Sequence, residues 1–153
     1  PQLLPETLAE GKSVNEIGSE VGIKSITTYK WGGGTDYLTL GERSILWRNN
    51  WDSLRSIPYF PNVAVGYDDS PRFPERGKGV VHITNSPESF AASLQKAKEY
   101  ADNHQEQPKL ITINSWNEWT EGSYLEPDMK WGYSYLEAVK KVMSGIYDPY
   151  SGK

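Results

Sequence analysis

The sequence predicts an α/β domain with parallel strands: about half of an eight-stranded (β/α)8 TIM barrel, three to four βα units, with a small open parallel α/β sheet as the alternative. Three observations predict it. Helical and extended signals alternate as helix, then strand and helix three times over, the order of βα units that build a parallel sheet. A closed barrel needs about 250 residues, and this chain has 153. No Gly-rich nucleotide loop follows any strand, which disfavours a doubly wound dinucleotide fold.

The elements follow from local signals. Ser13 and Glu16 form a capping box that opens a short helix ending near Gly22. The β-branched run 23-IKSITTY-29 is extended. After the loop 31-WGGGTD-36, Leu40, Trp47, Trp51 and Leu54 make a helical stripe, a core face for both tryptophans, that Pro58 terminates. Residues 62-NVAVG-66 form a short buried strand, and 67-YDDSPRFPERGKG-79 is a long loop leading to the extended piece 80-VVHI-83. Ser86 as N-cap and Pro87 at the first helical position start a helix whose buried face is Phe90, Leu94, Ala97 and Ala101. The strand 109-KLITIN-114 follows, and a last helix carries Tyr135, Leu136, Val139, Val142 and Met143 before stopping at Gly145. Residues 1–153 read as a single domain.

Composition narrows the function. With 16 Lys and Arg against 20 Asp and Glu and no basic cluster, a polyanion is mildly repelled, so nucleic acid is not an expected partner. The absence of Cys removes thiolate chemistry, and His82 and His104 lack the neighbours of a metal site, so neither metal nor cofactor is expected. No apolar run approaches the ~20 residues that span a bilayer. The start at Pro1, without a basic-then-apolar leader, is expected of a processed product or excised fragment. Six Trp and ten Tyr against three Phe favour rings with a polar handle, which suit pockets for amphipathic ligands such as sugars.

In parallel α/β folds sites form outside the carboxyl ends of the strands. The loops leaving the three strands carry Tyr29, Lys30 and Trp31, then Tyr67, Asp68, Asp69 and Arg72, then Trp116, Asn117, Glu118, Trp119 and Glu121. The opposite-end loops, 57-IPYFP-61 and 102-DNHQEQP-108, hold no comparable concentration of such groups. Glu118 and Glu121 share a face if the chain curls into a helical turn after Asn114. Two carboxyls so placed are what glycoside hydrolysis uses, one as acid and one as carboxylate; crowded anions repel, which favours keeping one protonated. The plain alternative is an exposed acidic turn of Glu118, Glu121, Glu126 and Asp128, though flanking Trp116 and Trp119 are costly to expose. Asp-Asp-Ser-Pro is good turn chemistry for Asp68 or Asp69, with Arg72 pairing one of them.

The stretches 113-INSWNEWTEGSYLEPD-128 and 131-WGYSYLEAV-139, with 66-GYDDSPR-72 and 84-TNSPESF-90, resemble the C-terminal region of glycoside hydrolase family 99-like proteins, which include endo-α-mannosidases and polysaccharide-locus relatives. The resemblance implies the C-terminal half of a (β/α)8 barrel that cleaves α-linked glycans with retention. It implies that Glu118 acts as a base on the sugar's 2-hydroxyl and Glu121 as general acid/base, and that Asn117, Trp119, Tyr124, Glu126 and Trp131 line sugar subsites. Endo-mannosidases carry His where this chain has Thr120. The implied partner is an oligosaccharide or polysaccharide, which favours an extracellular or periplasmic setting. Two other readings stay open: a sugar-binding module without catalysis, and a structural remnant that self-associates through open sheet edges.

Overall fold

The computed structural model describes residues 14–29, 31, 36–54, 57–76, 81, 82 and 84–148. Ser13 of the expected capping box, Lys30, and the side chains of Trp47, Trp51 and Leu54 lie outside the described residues.

The chain forms helices α1 (Val14–Glu20), α2 (Tyr37–Leu54), α3 (Pro87–Asn103) and α4 (Ser134–Met143). Its strands are β1 (Ile26–Thr27), β2 (Tyr59–Phe60), β3 (Asn62–Ala64), β4 (Thr112–Asn114), β5 (Asn117–Glu118) and β6 (Ser123–Tyr124). Helix α1 closes with a Schellman turn: Ile23 N donates to Gly18 O at 2.8 Å, and Gly22 takes φ 71°, a conformation costly to side chains with a Cβ.

β1 pairs in parallel with β2, Ile26 beside Tyr59, and β3 pairs in parallel with β4, Asn62 beside Thr112. Pro61 separates β2 from β3 because it has no N–H to donate, yet its carbonyl accepts from Thr112 N at 2.9 Å. Ile26 N donates to Pro58 O and Val65 N to Asn114 O, so the segment 58–65 has β1 on one flank and β4 on the other. α2 connects β1 to β2 and α3 connects β3 to β4, which are the expected βα units. The chain is therefore α/β with parallel strand pairing.

Three expectations are corrected. The segment 57–61 is not merely an opposite-end loop, since Tyr59 and Phe60 pair with β1 and the Tyr59 ring is buried. The strands are shorter than the patterns at 23–29, 62–66 and 109–114; at the last, Leu110 N turns back to Pro108 O at 2.9 Å and leaves only Thr112–Asn114 in the ladder. On α4, Met143 is 53% exposed, and Ala138 takes the inward position between Tyr135 and Val142.

Helix α3 begins as expected, with Ser86 and Ser89 capping each other's backbone amides and Pro87 in the first turn. Its Phe90, Leu94, Ala97 and Ala101 are buried, joined by Ala91 and Tyr100. Phe90, Leu94 and Ala97 meet Val63–Val65 of the segment 58–65, here the central strand, Tyr37 and Leu40 of α2, and Tyr135, Ala138 and Val142 of α4 in one core. Thr27, Asn62 and Thr112 join their side chains by hydrogen bonds of 3.0 Å, which makes a polar strip across the strands. The helices bury the apolar residues of the strands, and because β3 and β4 run parallel, the loops that follow them leave from the same end.

Candidate functional site

β4 ends at Asn114, whose peptide bond to Ser115 is cis. The chain then doubles back as an antiparallel hairpin, Asn117 beside Tyr124 and Glu118 beside Ser123, with Trp119–Glu121 as a single 3-10 turn. Ser123 is fully buried, its hydroxyl 2.7 Å from Asn114 O, while Ser115 Oγ accepts from Glu118 N at 3.2 Å and donates to Ser123 O. These small polar side chains tie the hairpin to the end of the strand.

Glycines set how closely this hairpin approaches the loop after β3. Gly122 has φ 57°, and a Cβ there would lie 2.9 Å from Asp68 Cβ. A Cβ on Gly66 would come within 2.6 Å of Asn85 Nδ2 and 3.1 Å of Gly122 O. Without those atoms the two loops touch, and Asp68 N donates to Glu121 O at 2.6 Å.

That contact brings the two predicted glutamates to one guanidinium. Arg72 Nη2 lies 2.9 Å from Glu118 Oε1 and 3.1 Å from Thr120 Oγ1, and Arg72 Nη1 pairs with Glu121 Oε1. The chain does not curl directly after Asn114 as expected: Glu118 lies on β5 and the 3-10 turn covers Trp119–Glu121, yet both carboxyls reach the same guanidinium. They differ in setting. The Glu118 side chain is 34% exposed against 9% for Glu121, and no donor among the described residues reaches the buried Glu121 Oε2.

Beside the carboxyls lies an aromatic surface. Trp119 stacks on Tyr124 with ring centroids 3.7 Å apart, and its Nε1 donates to Glu126 Oε2 at 2.6 Å. Tyr124 Oη donates to Asp128 Oδ2 at 3.0 Å, and burial first, then Asp128, pushes the phenol above its ordinary titration range. Trp119, Tyr124, Asp128, Met129, Gly132 and Tyr133 line an open depression of about 670 Å³.

The other predicted residues divide. Asn117 is exposed on β5, within the hairpin. Asp68 does turn duty, its Oδ1 accepting from Ser70 N at 2.9 Å, while Asp69 is buried and its carbonyl accepts from Arg72 N and Phe73 N. Tyr67 is half-buried against the His82 ring. Arg72 does not pair with Asp68 or Asp69 as expected, because the loop contact carries it to the hairpin glutamates. Trp31 is a core residue rather than a rim residue: it is 7% exposed, packs on Tyr37 and donates Nε1 to Asn62 O at 3.2 Å. Trp131 packs against the same core beside Tyr135, with Lys130 over its ring, and lies outside the lining of the depression. Sequence reasoning missed Ser115, Ser123, Gly66 and Gly122. Only the glycines carried a signal, since a Gly directly after a strand or after Glu121 marks a left-handed or crowded backbone. Among the described residues no group of three or more His, Cys, Asp or Glu is placed to hold a metal ion.

The sequence profile of a family described as "Glycosyltransferase WbsX" matches residues 12–139. An uncharacterized protein, WxcX, of Xanthomonas campestris pv. campestris strain B100 is 34% identical over 96 residues, 62% of this chain and 14% of that protein. Its counterpart in strain ATCC 33913 gives the same values. Among solved structures, the GH99 endo-α-mannosidase from Bacteroides thetaiotaomicron superposes with TM-score 0.56 at 16% identity, over 89% of this chain and 44% of that one. The same enzyme with bis-tris-propane gives TM-score 0.53 at 18% identity, over 84% and 44%. The chain thus spans about a seventh of the curated relatives and under half of the solved enzymes. At such identities the structural likeness is one of fold.

Proposed function

Since the chain belongs to the family described as Glycosyltransferase WbsX, we propose that it is the carboxylate-bearing part of a (β/α)8 barrel that processes an α-linked glycan, with Glu118 and Glu121 as the working pair. One observation carries this: two glutamates on the hairpin after β4 converge on one guanidinium beside a stacked Trp–Tyr surface. Paired carboxyls at the carboxyl end of a strand are what glycosidic bond chemistry requires. The endo-α-mannosidase likeness in fold supports the substrate class.

In this reading Glu121 protonates the departing glycosidic oxygen and later deprotonates the acceptor. Glu118 takes the proton of the sugar's 2-hydroxyl as O2 bonds to the anomeric carbon and the glycosidic bond breaks, then returns it to O2 when the acceptor opens this anhydro ring, so the configuration is retained. Asn117, Trp119, Tyr124 and Glu126 bind the flanking sugar, through ring stacking and carboxylate acceptors. The acceptor, water or a sugar hydroxyl, decides between hydrolysis and transfer. To test the pair, the protein is assayed on α-mannan and α-glucan oligosaccharides, following both reducing ends and transfer to a labelled acceptor sugar. Glu118→Gln and Glu121→Gln should each lower turnover by about 10²-fold or more; if both variants keep wild-type turnover, the pair is not catalytic.

A second reading is favoured by the burial of Glu121: glycan binding without cleavage. It predicts saturable oligosaccharide binding weakened by Trp119→Ala, unchanged by either Glu→Gln substitution, and no product.

A further inference from the structure

We infer that Arg72 is the positioning residue of the Glu118–Glu121 pair, holding both carboxyls at a fixed separation and shielding Glu121 from solvent; this rests on the reading of those glutamates as the working pair. Arg72 and the glutamates stand on different rim loops, 46 and 49 positions apart in the chain. The guanidinium engages Oε1 of each carboxyl with a different nitrogen, and Thr120 Oγ1 accepts from the nitrogen that also serves Glu118. Without a cation between them, two adjacent carboxylates repel and splay.

The backbone registers the arginine on the hairpin. Arg72 N donates to Asp69 O at 3.1 Å, Ser70 N to Asp68 Oδ1 at 2.9 Å, and Asp68 N to Glu121 O at 2.6 Å. A planar fork can span two carboxyls in this way, while the point charge of a lysine cannot. The ion pair also has a consequence for access. Glu121 Oε2 is buried and Oε1 is held by Arg72, so the carboxyl is shielded from solvent reagents while the ion pair stands.

The test maps carboxyl reactivity and turnover in the same variants. The protein is treated with a water-soluble carbodiimide and a labelled amine, and modification of Glu118 and Glu121 is read by peptide mass spectrometry. In wild type Glu118 should be labelled and Glu121 protected. Arg72→Ala should bring Glu121 labelling up to the level of Glu118, and Arg72→Lys should give an intermediate level, with circular dichroism confirming that each variant is folded. In turnover, Arg72→Ala should lower kcat about 10²-fold, the scale expected of misplaced catalytic groups, with KM little changed and partial recovery on adding guanidinium below denaturing concentration. Glu121 labelling that is unchanged by both substitutions overturns the inference, as does wild-type kcat in Arg72→Ala. If the labelling behaves as expected while the wild-type protein turns over no glycan, the positioning stands and the catalytic reading of the pair fails.

Discussion

The indole of Trp119 lies almost flat on the phenol ring of Tyr124, 3.7 Å away with the planes inclined by 17°. A hydrogen bond holds each ring, Trp119 to Glu126 and Tyr124 to Asp128. An aromatic surface fixed before binding loses little entropy when a ligand settles on it.

Trp119→Ala should therefore weaken oligosaccharide binding by about tenfold, the upper range for one aromatic contact. Isothermal titration with an α-linked oligosaccharide checks this. Glu126→Gln, which keeps an acceptor for the indole, should cost less than Trp119→Ala, and equal affinity in all three proteins would place the ligand elsewhere.

Gly122 faces two obstacles to any side chain, its φ of 57° and the Asp68 Cβ 2.9 Å from where its own would lie. The left-handed backbone alone costs an L-residue roughly 1–2 kcal/mol. Gly122→Ala should lower Tm by several degrees and separate the hairpin from the Asp68 loop, exposing Arg72. Thermal unfolding reads the first effect, and an unchanged Tm would mean that the loop contact contributes little.

Phe90 is fully buried between the central strand, α2 and α4. Phe90→Ala removes a large ring from the meeting point of three elements and should destabilise by about 3–5 kcal/mol, the usual cost of such a cavity. Denaturant unfolding measures it. A loss under about 1 kcal/mol, typical of surface positions, would contradict the packing described.

The Tyr124 phenol is raised above its ordinary range by burial and then by Asp128. A folded value above the unfolded one means that the neutral phenol is favoured by folding. Its contribution to stability is complete below the unfolded value of ~10 and is lost as pH rises through the folded value. Tyr ring carbon NMR should show Tyr124 titrating above free tyrosine, and Asp128→Asn should move it back towards the ordinary range. A Tyr124 resonance indifferent to Asp128→Asn would show that the hydrogen bond does not reach the phenol.

Local patterns made several features legible in the sequence. The N-cap at Ser86, the Pro87 start and the inward face of α3 depend on residues within a few positions of one another, and all appear as expected. So does the order of βα units, because each helix start and stop is encoded by its own neighbours. The spacing of three between Glu118 and Glu121 suggested that they share a face, although the turn that brings them together falls at Trp119–Glu121 rather than directly after Asn114.

What the sequence by itself determined is thus the order of the helices and of the strands between them, the inward face of α3 and the acidic–aromatic motif, since all three follow from contacts between near neighbours in the chain. Only the tertiary structure decided which partners those groups meet. Trp31 is core because β3 offers it Asn62 O and α2 offers it the Tyr37 ring. Tyr59 and Phe60 are strand because β1 lies beside them. Arg72 belongs to the glutamates because pairing of β3 with β4, and two glycines that let the following loops touch, bring together residues almost fifty positions apart. Such an ion pair depends on strand adjacency, and adjacency leaves no periodic trace in either segment.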